Sequence, residues 1–391
     1  MSVVACRQDP RLLIPPDTGG GGSVSGEAGQ GGMDAGAVPL DADASGSAGI
    51  GGTADGPADA GQGAAGAAGG EAGAAPAPVL RQAAASSSKL IGAAIGSGYL
   101  SEGPYAATAG AQFNFATPEN EMKWQSTEPA QNSFTFSSGD AIVAFAQQNG
   151  MQVKGHTLVW HSQLPAWVSA ITDATQLRAA MINHVFQVVL HYSGQVVAWD
   201  VVNEVVADGG QSLRSTIFYN LLGPSYIDDA FNAAHSADPN ARLYLNEYGA
   251  EGAGAKSDYV YNLVQGMLAR GIPIHGVGLQ MHTGSADASP SAAQVATNMQ
   301  RLAALGLDVA ITEMDVSICA GDLDTQGRRF HDIVAVCVAQ PACKAVTVWG
   351  VSDEHSWLNG MSCTSPRPLL FDESYLGKPA QLGVWNALFG R

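Results

Sequence analysis

From Lys89 onward, eight short apolar runs recur along the chain: Leu90–Ile95, Phe113–Ala116, Gln152–Leu158, Val196–Val202, Arg242–Leu245, Gly276–Met281, Leu307–Ile311 and Ala345–Val348. Their length and their richness in Val, Ile and Leu predict buried strands. Stretches with helical periodicity lie between them, at Ser138–Gln148, Gln176–His191, Ser257–Arg270, Ser291–Leu305 and Gly327–Ala339. Asp173-Ala174-Thr175 before Gln176 reads as a helix start, and Asn149-Gly150, Arg270-Gly271 and Leu305-Gly306 read as stops. Strand and helix alternating eight times predicts one α/β domain, a (β/α)8 TIM barrel over residues 89–391. An open doubly wound sheet is the alternative, but no Gly-rich phosphate turn follows the first run.

In such a barrel the working side chains come from the carboxyl ends of the strands. Polar and aromatic residues gather there: Glu119, Asn120 and Lys123 after the second run, then His156, Trp160 and His161 around the third. Asn203 and Glu204 follow the fourth, Asn246, Glu247 and Tyr248 the fifth, and Gln280 and His282 the sixth. Glu313 and Asp315 follow the seventh, and Trp349, Asp353 and Trp357 the eighth. A carboxylate at the end of a buried strand is poor packing and useful chemistry. Two of them, Glu204 and Glu313, are the minimum equipment for cleaving an acetal between sugars, one as acid and one facing the oxocarbenium carbon. Asn203 is then placed to reach a sugar hydroxyl, His282 to orient Glu313, and Asp315 to hold the imidazole. Trp160, Trp349 and Trp357 offer flat faces to pyranose rings, while Glu119, Asn120, Lys123, His156 and Gln280 offer hydroxyl contacts. His161, Asp200 and Asp353 are expected to be supports.

Composition separates residues 1–88 from the rest. That segment contains no Phe, Trp or Tyr, and residues 19–73 hold 20 of the 48 glycines. It is read as a low-complexity tether unable to bury enough apolar surface to order itself. Its net charge is −6 and that of residues 89–391 is −11, together the −17 of the whole chain. With no basic tract, nucleic acid is a poor partner, whereas a neutral polymer is not repelled. Val3-Val4-Ala5-Cys6 resembles the end of a bacterial lipoprotein signal, although only five residues precede Cys6. A lipid anchor at Cys6, and a secreted or cell-surface location, are the expectations. No CxxC spacing points to a metal. The four remaining cysteines are expected to pair as Cys337–Cys343 and Cys319–Cys363, among three possible pairings.

At the strand ends the chain resembles glycoside hydrolase family 10, whose commonest activity is endo-β-1,4-xylanase. The matching segments are residues 117–124, 155–163, 199–204, 311–315, 348–353 and 368–372, with Lys378-Pro379-Ala380. The resemblance implies a retaining mechanism without a cofactor, with Glu204 as acid/base and Glu313 as nucleophile, their carboxyls roughly 5–5.5 Å apart. It implies that Glu119, Asn120 and Lys123 line the glycone side and that Trp349 and Trp357 close over the sugar. Xylan and xylo-oligosaccharides are the implied ligands, and a monomer is expected. Two positions depart from the family pattern: Glu247, where Asp is usual, and Met314, where Leu is usual. The rival readings are a barrel glycosidase acting on cellulose or mannan and a surface protein that only binds polysaccharide.

Overall fold

The computed structural model describes residues 78–285, 290–319, 322–361 and 363–390. Its strands are β1 (Leu90–Ile95), β2 (Phe115–Pro118), β3 (Gln152–Gly155), β4 (Val196–Asn203) and β5 (Arg242–Glu247), followed by β6 (Gly276–Leu279), β7 (His282–Gly284), β8 (Asp308–Ser317) and β9 (Cys343–Val348). All neighbours pair in parallel, β1 joins both β2 and β9, and β6 pairs with β8, so the sheet closes on itself. β7 continues β6 along the same partner β8, so the nine segments make eight barrel strands. The sixth, expected as one run through Met281, is broken at Gln280-Met281, where Met281 has φ +68°. Helices cross between successive strands, ending with Pro379–Leu388 after β9. The (β/α)8 barrel read from the alternation is the observed fold.

Alternation within each strand divides the core in two. Phe115, Ala198, Tyr244, Ala310 and Ala345 fill the inside of the barrel near its amino end. Large and small residues have to mesh there: a Cβ on Gly276 would lie 2.4 Å from the Tyr244 ring, so only glycine fits. The alternate residues, such as Ile91, Val201, Leu243, Val277, Ile311 and Val346, face outward onto the helices, meeting apolar faces such as Val185, Val188, Ile333 and Val334. Helix starts follow the caps: Asp173 accepts from the Gln176 amide at 2.8 Å, and Ser291 with Gln294 forms a capping box.

The boundary at Lys89 falls too late. Leu80–Ser87 is a helix with Leu80, Ala83 and Ala84 wholly buried, and Arg81 donates to the carbonyls of Gly110 and Gly150 at 2.7 and 3.1 Å. Absence of aromatic residues hid this element, because one leucine and two alanines at i, i+3 and i+4 suffice for a short docked face. The expectations for residues 1–77, the tether and Cys6 among them, lie outside the described residues. Both expected disulfides form, with Cα separations of 5.8 Å for Cys319–Cys363 and 5.2 Å for Cys337–Cys343. The first ties the segment after β8 to the loop beyond Trp357; the second joins the helix Leu323–Ala339 to β9.

Candidate active site

Glu204 follows β4 and Glu313 lies in β8, both almost fully buried at the carboxyl end of the barrel. Regular alternation would send two consecutive residues to opposite faces. Here the register of β4 against β5 shifts between Asp200 and Val202, and Glu204 then takes a left-handed backbone at φ +58°. Asn203 and Glu204 consequently both reach the site. A side chain in that region costs on the order of 1–3 kcal/mol, so surrounding structure has to impose it. Part of that restraint is the Glu204 amide, which donates to the Asn246 carbonyl at 2.9 Å.

The two carboxyls have different partners. Glu204 accepts hydrogen bonds from Trp160 Nε1 at 2.9 Å and Gln280 Nε2 at 3.2 Å, with His161 Nε2 4.0 Å away. Glu313 accepts from Asn246 Nδ2 at 2.6 Å and faces His282 Nε2 at 3.2 Å. The other imidazole nitrogen faces Asp315 Oδ2 at 2.8 Å, and the same oxygen accepts from Trp357 Nε1 at 2.8 Å. Asn203 Oδ1 receives Asn246 at 2.8 Å and Gln280 at 3.3 Å, so three amides run between the two carboxyls. Thr312 orients Asn246 by donating to its Oδ1 at 2.6 Å.

Charge follows from these contacts. Burial pushes the Glu204 carboxyl above its ordinary value, and the Glu313 charge adds to this against the bonds from Trp160 and Gln280. Burial alone would raise Glu313 too. The His282 hydrogen bond, with the fields of His156, His282 and Lys123, outweighs it and holds Glu313 at about 2. Burial opposes a charge on His282, but the Asp315 and Glu313 carboxylates raise it well above the usual imidazole range. An imidazolium donating from both nitrogens matches two carboxylates in hydrogen-bond reach. Burial pulls Lys123 down and lifts Glu119 to about 7, each opposed by the other's charge.

The remaining sequence-predicted residues surround this pair. Lys123 donates to Asn120 Oδ1 at 2.9 Å and sits 5.0 Å above the Trp160 ring. His156 meets Trp349 edge-on, and Trp357 lies 5.1 Å from the His282 ring, which makes walls of both tryptophans. Asp200 and Asp353 are supports: Asp200 holds His156 at 3.0 Å and Lys154 at 2.7 Å, while Asp353 pairs with Lys378 at 2.7 Å. His161, expected to be a support, stands closer, within 4.0 Å of Glu204, and burial keeps it neutral by lowering its pKa to about 4. Glu247, the departure from the family pattern, accepts from the Val206 amide at 2.9 Å and forms an ion pair with Lys256 at 2.9 Å. Sequence reasoning assigned no role to Asn246, Thr312 or Arg214. Asn246 stood at a strand end, and Thr312 shares a strand face with Ala310; Arg214 carried no local signal. Among the described residues no group of His, Cys, Asp and Glu is arranged to hold a metal ion.

Residues 79–387 match the family model described as glycosyl hydrolase family 10. An endo-1,4-beta-xylanase of Agaricus bisporus is 39% identical over 309 residues, covering 77% of this chain and 92% of the relative. Endo-1,4-beta-xylanase B of Thermotoga neapolitana is 38% identical over 286 residues, covering 72% of this chain and 82% of that protein. Native xylanase 10B of Thermotoga maritima superposes with a TM-score of 0.76 at 38% identity, covering 79% of this chain and 98% of that one. Xylanase 10B of Thermotoga petrophila RKU-1, solved with xylobiose, gives 0.76 at 37%, covering 79% and 97%. With a barrel closed in this register and two differently held carboxyls at its mouth, the chain belongs to glycosyl hydrolase family 10.

Proposed function

We propose that this chain is an endo-1,4-β-xylanase that cleaves internal bonds of xylan by double displacement, with Glu204 as acid/base and Glu313 as nucleophile. The observation that carries the reading is the opposite setting of two buried carboxyls at one barrel mouth, Glu204 raised and Glu313 held at about 2. That ordering, burial raising Glu204 and His282 holding Glu313 down, makes Glu204 the group that keeps its proton when Glu313 is ionised. Glu313 attacks the anomeric carbon as the glycosidic C–O bond breaks, and the Glu204 proton passes to the leaving oxygen. Glu204, now a carboxylate, takes a proton from water; the water oxygen attacks the same carbon and releases Glu313. His282, charged and held by Asp315, steadies Glu313 throughout, and Asn203 and Asn246 hold the floor between the carboxyls. Glu119, Asn120 and Lys123 contact the glycone, with Trp160, Trp349 and Trp357 as ring-facing walls.

Xylan as substrate is supported by the names of the relatives and by the xylobiose complex of the Thermotoga petrophila enzyme. Reducing-sugar release from arabinoxylan, glucuronoxylan and mixed β-glucan side by side tests it; release from the glucan alone refutes the reading. For the roles, Glu313→Ala abolishes hydrolysis of every substrate, whereas Glu204→Ala retains activity on aryl xylosides with good leaving groups, which need little protonation. Equal losses on both substrate types contradict the assignment. An exported location fits the two disulfides, which persist in oxidising compartments. Lipidation at Cys6 rests on the Val3-Val4-Ala5-Cys6 pattern.

A further inference from the structure

The strained backbone at Glu204 needs an agent to hold it, and the amide's bond to Asn246 restrains only one side. The other side is met by Arg214, ten residues further on and the only Lys or Arg between Arg178 and Arg242. Its Nε donates to the Glu204 carbonyl at 3.0 Å and one terminal nitrogen donates to the Val206 carbonyl at 3.1 Å. The Arg214 amide donates to the Val205 carbonyl at 2.7 Å, and Val206 bridges Leu213 antiparallel, so the segment turns back on itself around this side chain. The guanidinium is in turn held by Tyr248 Oη at 2.8 Å and Asp208 at 2.8 Å, with the Tyr248 hydroxyl also against Asp208. Asp208 is largely exposed, so its ion pair contributes little and the carbonyl contacts carry the restraint. From the β5 side Glu247 takes the Val206 amide at 2.9 Å. Residues 204–206 therefore lie clamped between β5 and one planar, five-donor group, a geometry that lysine cannot reproduce.

We propose that Arg214 is a positioning residue for the acid/base, aiming the Glu204 carboxyl at the leaving oxygen by holding the backbone of residues 204–206. The inference rests on the reading of Glu204 as the acid/base. Arg214 touches neither carboxyl oxygen; Trp160 and Gln280 do that. What it sets is where the Cα–Cβ bond of Glu204 points, and small errors in that direction are enough to misplace a proton donor.

Its loss should therefore cost protonation and spare the nucleophile. The test is kcat/KM of Arg214→Met and the unmodified enzyme on phenyl and 2,4-dinitrophenyl β-xylobiosides, with Glu204→Ala in parallel. The expected result is a loss of about 10–100-fold on the phenyl substrate, part of the ~10²–10⁴-fold that general acid catalysis supplies, and less than about threefold on the dinitrophenyl one. Equal losses on both substrates, or no loss on either, overturn the proposal. If Arg214→Met does not fold, Arg214→Lys keeps the charge and stem without the fork, and the same split is expected in milder form. Should Glu204→Ala itself lose equally on both substrates, the acid/base reading fails; if Glu204→Ala shows the split and the Arg214 variants do not, only this inference fails.

Discussion

Replacing Asp315 with asparagine should move the acid limb of the pH profile upward while leaving substrate binding nearly intact. Asp315 Oδ2 accepts from both His282 Nδ1 and Trp357 Nε1 at 2.8 Å. An asparagine oxygen can still accept both bonds, so Trp357 keeps its place. What disappears is the charge that holds a proton on His282. A neutral imidazole donating from Nδ1 to the substituted amide oxygen turns a lone pair at Nε2 toward Glu313, 3.2 Å away. Glu313 then loses both effects of His282, the hydrogen bond and the field, which stand first and third among those that lower it. Its fall from the ordinary 4.5 to about 2 is worth roughly 3 kcal/mol of preference for the carboxylate, at about 1.4 kcal/mol per pH unit.

Losing half or more of that raises the limb by about one to two pH units. At pH 3 the ionised fraction of Glu313 would fall from roughly nine tenths to between a half and a tenth, and at pH 6 it would hardly change. The assay is kcat/KM on an aryl xylobioside from pH 2.5 to 7, with circular dichroism confirming the fold at each point. The sign follows from the direction of the shift: a carboxyl held down in the folded enzyme loses its function as pH falls through its pKa, so a weaker hold brings the loss at higher pH. An acid limb in Asp315→Asn that coincides with that of the unmodified enzyme would refute the coupling through His282.

Two stability predictions follow from the packing. Cys363→Ser opens a loop spanning 44 residues, and the chain-entropy account gives ~4 kcal/mol for its closure, so thermal scans should show a Tm lower by ~5–10 °C; an unchanged Tm would show that the rim needs no staple. Leu80→Ala, in a helix where Leu80 is wholly buried, should cost about 2–4 kcal/mol in chemical unfolding; a cost under about 0.5 kcal/mol would mean that Leu80–Ser87 is not part of the cooperative domain.

Much of the site was legible because barrel enzymes concentrate polar residues where apolar runs end. Glu204, Glu313, His282 and Asp315 were readable from their position after such runs, and the structure sets His282 between Glu313 and Asp315. Asn246 was visible at the same kind of place, but nothing local distinguishes a residue that bridges two others from one that only fills space. Its partners Asn203 and Glu313 lie 43 and 67 residues away. The break at Met281 and the left-handed turn at Glu204 were hidden for a related reason: neither carries the glycine or asparagine that marks such a backbone in a sequence. The helix Leu80–Ser87 escaped because short, alanine-rich faces have weak hydrophobic signals, and its docking surfaces, near Gly110, Gly150 and Gln381, are assembled from distant segments.

By itself the sequence determined the eightfold alternation and the places of Glu204 and Glu313 at strand ends, because strand length, apolar periodicity and the residue after each run are properties of neighbouring positions; the family resemblance lay in the motif segments at those ends. Only the tertiary structure decided which partners hold each carboxyl, which amides join them and what holds Glu204 in a strained backbone. Those depend on burial and on distances between groups tens of residues apart, and closing the barrel is what brings the groups together.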